Sequence, residues 1–204
     1  MVLRLVGSEM CIRDSRKLIE LSDLFKNVTS FSLEIGFGGG EHLVYQAERN
    51  PNIGFIGCEP YINGVAMLAG KLSKLELTNV RIHPGDVRDL FDVLPDDSID
   101  SVFLLYPDPW PKKRHHRRRF VTSEYLIDLQ RVMKTGALLK LATDIPDYVR
   151  QSLQEVCKHH FSWTATDAQD WRECWSDWMP TRYERKALRE GRRPYYLTFE
   201  KRES

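Results

Sequence analysis

The chain has 204 residues, of which 42% are hydrophobic and 29% charged, and a net charge of only +1. That length supports one well-buried domain, and the composition is that of an ordinary globular protein, which excludes fibrous and low-complexity classes. No apolar run reaches the roughly 18 residues of a membrane span, and no secretory signal is evident.

Cys11, Cys58, Cys157 and Cys174 stand at unrelated spacings, which makes neither a disulfide framework nor a zinc site. A cytoplasmic protein without a metal is the expectation. The small total charge hides two positive concentrations, Lys112–Arg119 and Arg182–Arg193, and a partner meets the local field rather than the sum.

In chain order, Met1–Ser15 has no clear period and reads as a non-native or disordered leader, with a short natural helix as the alternative. Residues 16–204 read as a single domain. Arg16–Asn27 suits a lead-in helix, Phe31–Ile35 a strand, Gly36–Gly40 a tight loop and Glu41–Arg49 a helix. Ile53–Cys58 is a second strand, Tyr61–Leu75 a longer helix, Asn79–His83 a third strand and Val87–Leu94 a short helix.

The fourth strand, Val102–Leu105, stops at Pro107-Asp108-Pro109, where two prolines withhold backbone donors. Thr122-Ser123 is placed to cap a helix carrying Leu126, Leu129, Val132 and Met133. Lys134-Thr135-Gly136 should turn that helix into a fifth strand, Ala137–Ala142. A helix to about His159, a strand near Phe161–Ala165, a tryptophan-rich loop and a strand at Tyr195–Glu200 complete the pattern. Strands alternating with helices predict an α/β fold, a parallel sheet covered on both faces.

In such sheets ligands lie beyond the carboxyl ends of the strands. Those ends carry Glu34, Glu59, Asp86, Asp108 and Asp144. A dinucleotide site wants GxGxxG with amides aimed at a pyrophosphate. Here Gly36, Gly38 and Gly40 alternate, and Glu41 stands where the third fingerprint glycine would fall. A carboxylate before the loop suits a ligand bearing an ammonium and a sulfonium better than one bearing phosphates. Glu59 is placed for the two hydroxyls of a ribose and Asp86 for an adenine amino group. That combination describes S-adenosylmethionine (SAM).

The tract Lys112–Arg119 begins four residues after Asp108, at the active end of the sheet, so phosphate binding is favoured over a merely solvated face. Adjacent His115 and His116 without further ligands make a poor metal site. Thr181, Arg182, Tyr183 and Glu184, followed by Arg185, Lys186, Arg189, Arg192 and Arg193, fit two readings equally: a base-reading cluster flanked by backbone-holding arginines, or an exposed basic helix after Pro180.

The segments LEIGFGGGEHL, GFIGCEPYINGVA, VFLLYPDPWPKKRHHRRRFV, LATDIPDY and TRYERKALREGRRPYYLTFE together resemble the bacterial TrmB-type tRNA (guanine-N7-)-methyltransferases. The likeness runs in the same order from Phe31 to Lys201. It implies a Rossmann-like class I methyltransferase with a mostly parallel seven-stranded sheet. It implies SAM contacts from Glu34, Glu59, Asp86 and Asp108, with Asp108 catalytic. Its tRNA contacts would be Lys112, Arg114, His115, His116, Arg117, Arg118, Arg119, Asp144 and Thr181–Glu184, and its target a guanosine of the variable loop. Members of the family usually begin with a further segment, often Arg-rich, where this chain has its leader. They occur as monomers and dimers; a monomer is the expectation.

Guanine N7 has an in-plane lone pair and no proton to lose, so the expected task is alignment rather than strong base catalysis. The competing readings are a SAM-dependent enzyme acting on another RNA, a protein or a small molecule, an NAD-dependent oxidoreductase, and a non-catalytic RNA-binding module. The last has no use for Glu34, Glu59 and Asp86.

Overall fold

The computed structural model describes residues 18–203. The leader Met1–Ser15 lies outside them. Seven strands form one sheet: β1 Ser30–Ile35, β2 Ile53–Cys58, β3 Val80–His83, β4 Ile99–Leu105, β5 Met133–Thr143, β6 Phe161–Trp163 and β7 Tyr195–Lys201. Their order across the sheet is β3-β2-β1-β4-β5-β7-β6. The ladders among β1 to β5 are parallel. β7 runs antiparallel to both β5 and β6, so the sheet is mixed, with one reversed strand.

The helices are α1 Leu21–Leu24, α2 Glu41–Arg49, α3 Ile62–Leu75, α4 Val87–Phe91, α5 Ser123–Val132, α6 Pro146–Val156, α7 Gln169–Arg172 and α8 Arg182–Arg189, with a 3₁₀ helix at Lys113–Arg118. Alternation along the strands sorts the core onto two faces. Leu33, Ile35, Val102, Leu104, Leu139 and Leu141 bury one face with Leu126, Leu129 and Val132 of α5 and Tyr148 of α6. On the other face, Leu43 and Ala47 of α2 and Leu68 and Leu72 of α3 pack with Phe55. Phe103, Leu105, Ala142, Trp178 and Tyr196 continue that second face toward β7.

Several local expectations need correction. The lead-in helix is a single turn, α1. The turn expected at Lys134–Gly136 is part of β5: Met133 already pairs with Ile99, and a register shift before Ser101 takes up the left-handed Gly136, φ +81°. The register passes from Ile99 opposite Met133 to Ser101 opposite Leu138, an irregularity in which β5 runs on through residues that have no partner on β4. Thr122 occupies the N-cap of α5, but its side chain makes no cap bond and its hydroxyl is buried without a partner. The tryptophan-rich stretch contains α7, and the basic run after Pro180 is α8.

Because β1 to β5 share one direction, their carboxyl ends collect on one side of the sheet. β1 has β2 on one flank and β4 on the other, and this reversal of strand order opens the crevice in which such sheets bind ligands.

Candidate active site

The glycine loop after β1 alternates left-handed residues, with φ of +72° at Gly36, +56° at Gly38 and +73° at Gly40. These are conformations that only glycine adopts without cost. Close packing adds a second reason: a Cβ on Gly64 of α3 would lie 2.3 Å from the Gly38 carbonyl. At Gly36 a Cβ would meet nothing within 4 Å, and this residue lines a cavity of about 270 Å³ at the ends of β1, β2 and β4.

Two predicted carboxylates stand behind the loop. Glu34 is buried and accepts from His42 Nδ1–H at 2.7 Å, while His42 Nε2 faces the Gln46 amide at 3.3 Å. Glu59 is buried too; its two oxygens accept from the Gly38 amide at 2.8 Å and the Tyr61 amide at 3.0 Å. It therefore first fixes the loop, and each carboxylate oxygen keeps one further lone pair for a ligand.

Asp86 and Asp108 lie on the cavity wall. Asp86 caps α4 by accepting from the Arg88 amide at 2.9 Å, and the Arg88 guanidinium binds the same carboxylate. Burial pushes the Asp86 carboxyl up, but the side-chain and backbone bonds from Arg88 outweigh it and leave the group below the ordinary aspartate value. Asp108 is exposed at the rim. Cys58, also on the wall, donates to the Gly85 carbonyl, and burial first, then nearby Asp86, push its thiol well up. It is a structural thiol rather than a nucleophile.

The basic tract folds as an ordered strap. Lys112, Arg114, Arg117 and Arg118 are exposed, and His115 and His116 are half-buried. Among the described residues, only His116 and Arg119 of this tract meet a carboxylate, both on Asp147. Arg119 departs from the expectation of a phosphate contact. It is 1% exposed; its guanidinium donates to the Pro109 carbonyl and to Gln151, pairs with Asp147 at 2.9 Å and lies over the Tyr148 ring. A guanidinium so enclosed cannot reach a solvent-side phosphate.

The second cluster also divides. Thr181 caps α8 by accepting from the Glu184 amide at 3.2 Å. Glu184 is buried and accepts from Trp178 Nε1 and the Tyr196 hydroxyl, both at 2.7 Å, so it ties the tryptophan loop to β7. Arg182 and Tyr183, both exposed, reach the glycine loop: a Cβ on Gly38 would lie 3.2 Å from Tyr183 and 3.3 Å from Arg182. Asp144, at the end of β5, is bound by Arg192, which also pairs with Glu190.

The cavity wall thus gathers Gly36, Asp86, Asp108 and Arg118 from the predicted set. Sequence reasoning missed Pro60, Val87, Tyr106, Phe120 and Tyr125, and did not count Trp110 as a site residue. The sequence held one signal for Tyr106 and Trp110, since both flank the Pro-Asp-Pro turn; the structure adds that both are left-handed non-glycine residues, φ +52° and +40°, conformations that concentrate at functional sites.

The chain matches the family described as "Putative methyltransferase" over residues 29–197. A protein of Ruegeria pomeroyi named tRNA (guanine-N(7)-)-methyltransferase is 64% identical over 189 residues, covering 93% of this chain and 79% of that one. The chain belongs to the tRNA (guanine-N(7)-)-methyltransferase family.

An antibiotic-related methyltransferase of known structure superposes with a TM-score of 0.66 at 19% identity, covering 98% of this chain and 99% of the other. The [4+2]-cyclase SpnF superposes at 0.61 and 16% identity, over 90% and 79% of the two chains. The second likeness shows that the fold alone does not fix the reaction. In this methyltransferase family the donor is SAM. The residues present fit it: an open backbone position at Gly36 permits close approach, and the exposed Asp108 carboxylate on the wall complements a ligand carrying a sulfonium and an ammonium.

Proposed function

We propose that this protein methylates N7 of guanosine 46 in the variable loop of tRNA, giving 7-methylguanosine, as a cytoplasmic enzyme. What carries the reading is the position of Asp108: it stands on the wall of the donor cavity, and the exposed cations Lys112, Arg114, Arg117 and Arg118 follow it directly. SAM supplies a methyl group on a sulfonium sulfur.

The chain's own residues then have three tasks. Glu59 and Glu34 hold the glycine loop and the start of α2, with Gly36 open to the cavity. Asp108 accepts from the N1–H and amino groups of guanine, which orients N7 and offsets the charge that appears on the ring. The exposed cations of the strap hold phosphates, while Arg182 and Tyr183 close over the glycine loop and Asp144 exchanges Arg192 for the nucleotide. Arg119 and Glu184 act only through the elements they anchor. A guanine in the tRNA core becomes accessible when drawn from its tertiary contacts.

No helix among the described residues is long and apolar enough to cross a membrane, and none of their His, Cys, Asp and Glu side chains form a metal-binding group of three. Incubation with tritiated SAM and unmodified tRNA, followed by mapping of the labelled base, tests the reading. Label at N7 of guanosine 46 is the expected result. Label on another base, or on a small molecule alone, overturns it.

A further inference from the structure

Trp110 has no part in the three tasks above, yet its setting is that of a ligand-binding aromatic. It lines the cavity together with Asp108, Tyr106 and Tyr125. The residue is only half-buried and belongs to none of the apolar clusters that form the core among the described residues. Its backbone is held left-handed at φ +40°, a conformation a tryptophan adopts only when its surroundings impose it.

The face of the ring is already in use. The Arg118 guanidinium lies over it at 4.9 Å, and the His115 ring meets it edge-on at 6.0 Å and 87°. A planar cation on an indole is favoured by the ring's negative face. Methyl transfer to guanine N7 generates another planar cation: the N7 lone pair forms the N–CH₃ bond as the methyl–sulfur bond breaks, positive charge passes to the purine, and no proton leaves.

From this coincidence, which rests on the proposed function, we propose that Trp110 is the stacking face for the target guanine and that Arg118 holds its place in the free protein. Stacking on an indole strengthens as the purine becomes positive, so Trp110 binds the transition state and product ring better than neutral guanine. Such differential binding raises turnover rather than merely lowering KM. Arg118, displaced from the ring, remains on the strap to meet a phosphate.

The test uses the full chain in three forms, wild type, Trp110→Phe and Trp110→Leu, titrated calorimetrically with GMP and with 7-methyl-GMP. Wild type should prefer the methylated nucleotide by about two- to thirtyfold, the range of a cation on an aromatic face. Trp110→Phe should keep much of that preference and Trp110→Leu should lose it, with SAM affinity within about threefold of wild type in all three. On tRNA, kcat should fall in Trp110→Leu more than KM rises.

An equal preference in wild type and Trp110→Leu overturns the proposal, as does the absence of any preference in wild type. A large loss of SAM affinity in Trp110→Leu also overturns it, because the ring would then serve the donor. Should the leucine variant fail to fold, Trp110→His, a smaller ring that is planar and aromatic, takes its place and must show an intermediate preference. A wild-type enzyme that leaves tRNA guanine unmethylated would instead defeat the functional reading, a separate result.

Discussion

On the glycine-loop side of the cavity the acidic groups are buried and bonded within the protein: Glu34 to His42, Glu59 to the Gly38 and Tyr61 amides. On the basic side the cations of the 3₁₀ helix stand in solvent, and most meet no carboxylate among the described residues. The first region is complete before a ligand arrives; the second, on the function proposed above, is completed by the phosphates of the tRNA. A buried carboxylate without partners would be costly, whereas an exposed cation costs the fold almost nothing. Charged side chains are thus spent on the fold on one side and left free for a ligand on the other.

Asp108, at the junction of the two, should give the largest effect. Asp108→Asn exchanges an acceptor for a side chain that is half donor, and turnover should fall by about a hundredfold or more, with tRNA retention on a filter almost unchanged. Methylation at the wild-type rate would remove Asp108 from the chemistry.

Next in size is a contrast within the strap. Arg119→Ala strips Asp147 and Tyr148 of their buried partner and should cost about 2–3 kcal/mol in urea unfolding, discounted from a fully buried pair because Asp147 is half-exposed. Arg117→Ala should leave stability unchanged and lower the log–log salt slope of tRNA binding by nearly one. Equal behaviour of the two variants would dissolve the distinction drawn between them.

Glu59→Ala should weaken SAM roughly ten- to a hundredfold in calorimetry, through the loosened loop as well as the lost ligand contact. Unchanged affinity would place Glu59 outside donor binding.

The smallest effect belongs to Asp86. Its carboxyl is held below the ordinary value, so its contribution to stability is present above that value and lost as pH falls through the lowered one. The pair is substantially exposed, at 55% for Arg88 and 42% for Asp86. Asp86→Asn should thus cost under about 0.5 kcal/mol at neutral pH and flatten the acid limb of thermal unfolding slightly. Because asparagine still caps α4, a large loss would mean that the pairing with Arg88 matters more than its exposure implies.

Most of the fold was legible because period carries it: α2 spans the residues its apolar spacing predicted, as does β2. The misses have physical causes. The irregular stretch around Gly136 imitates a turn in composition, and only the partner strand reveals that pairing resumes in the same strand beyond it. β7 looks like any other strand, since direction is set by the route of the chain and not by alternation. At the site, the strand-end acids were legible as a group, but burial was not. Nothing in the run Arg117-Arg118-Arg119 says which of three arginines turns inward; only Gln151 and Asp147, more than two dozen residues later, decide it.

The bond from Arg119 Nε to the Pro109 carbonyl joins residues ten positions apart and closes the strap on itself. A flexible tail with the same cations would lose conformational entropy each time it gripped a polyanion, several tenths to about 1.5 kcal/mol for each long side chain immobilised, besides its backbone. Closing the loop during folding moves the backbone share of that loss out of the encounter. Association can then proceed by collision with a preformed charge array, so salt should act on the on-rate more than on the lifetime of the complex.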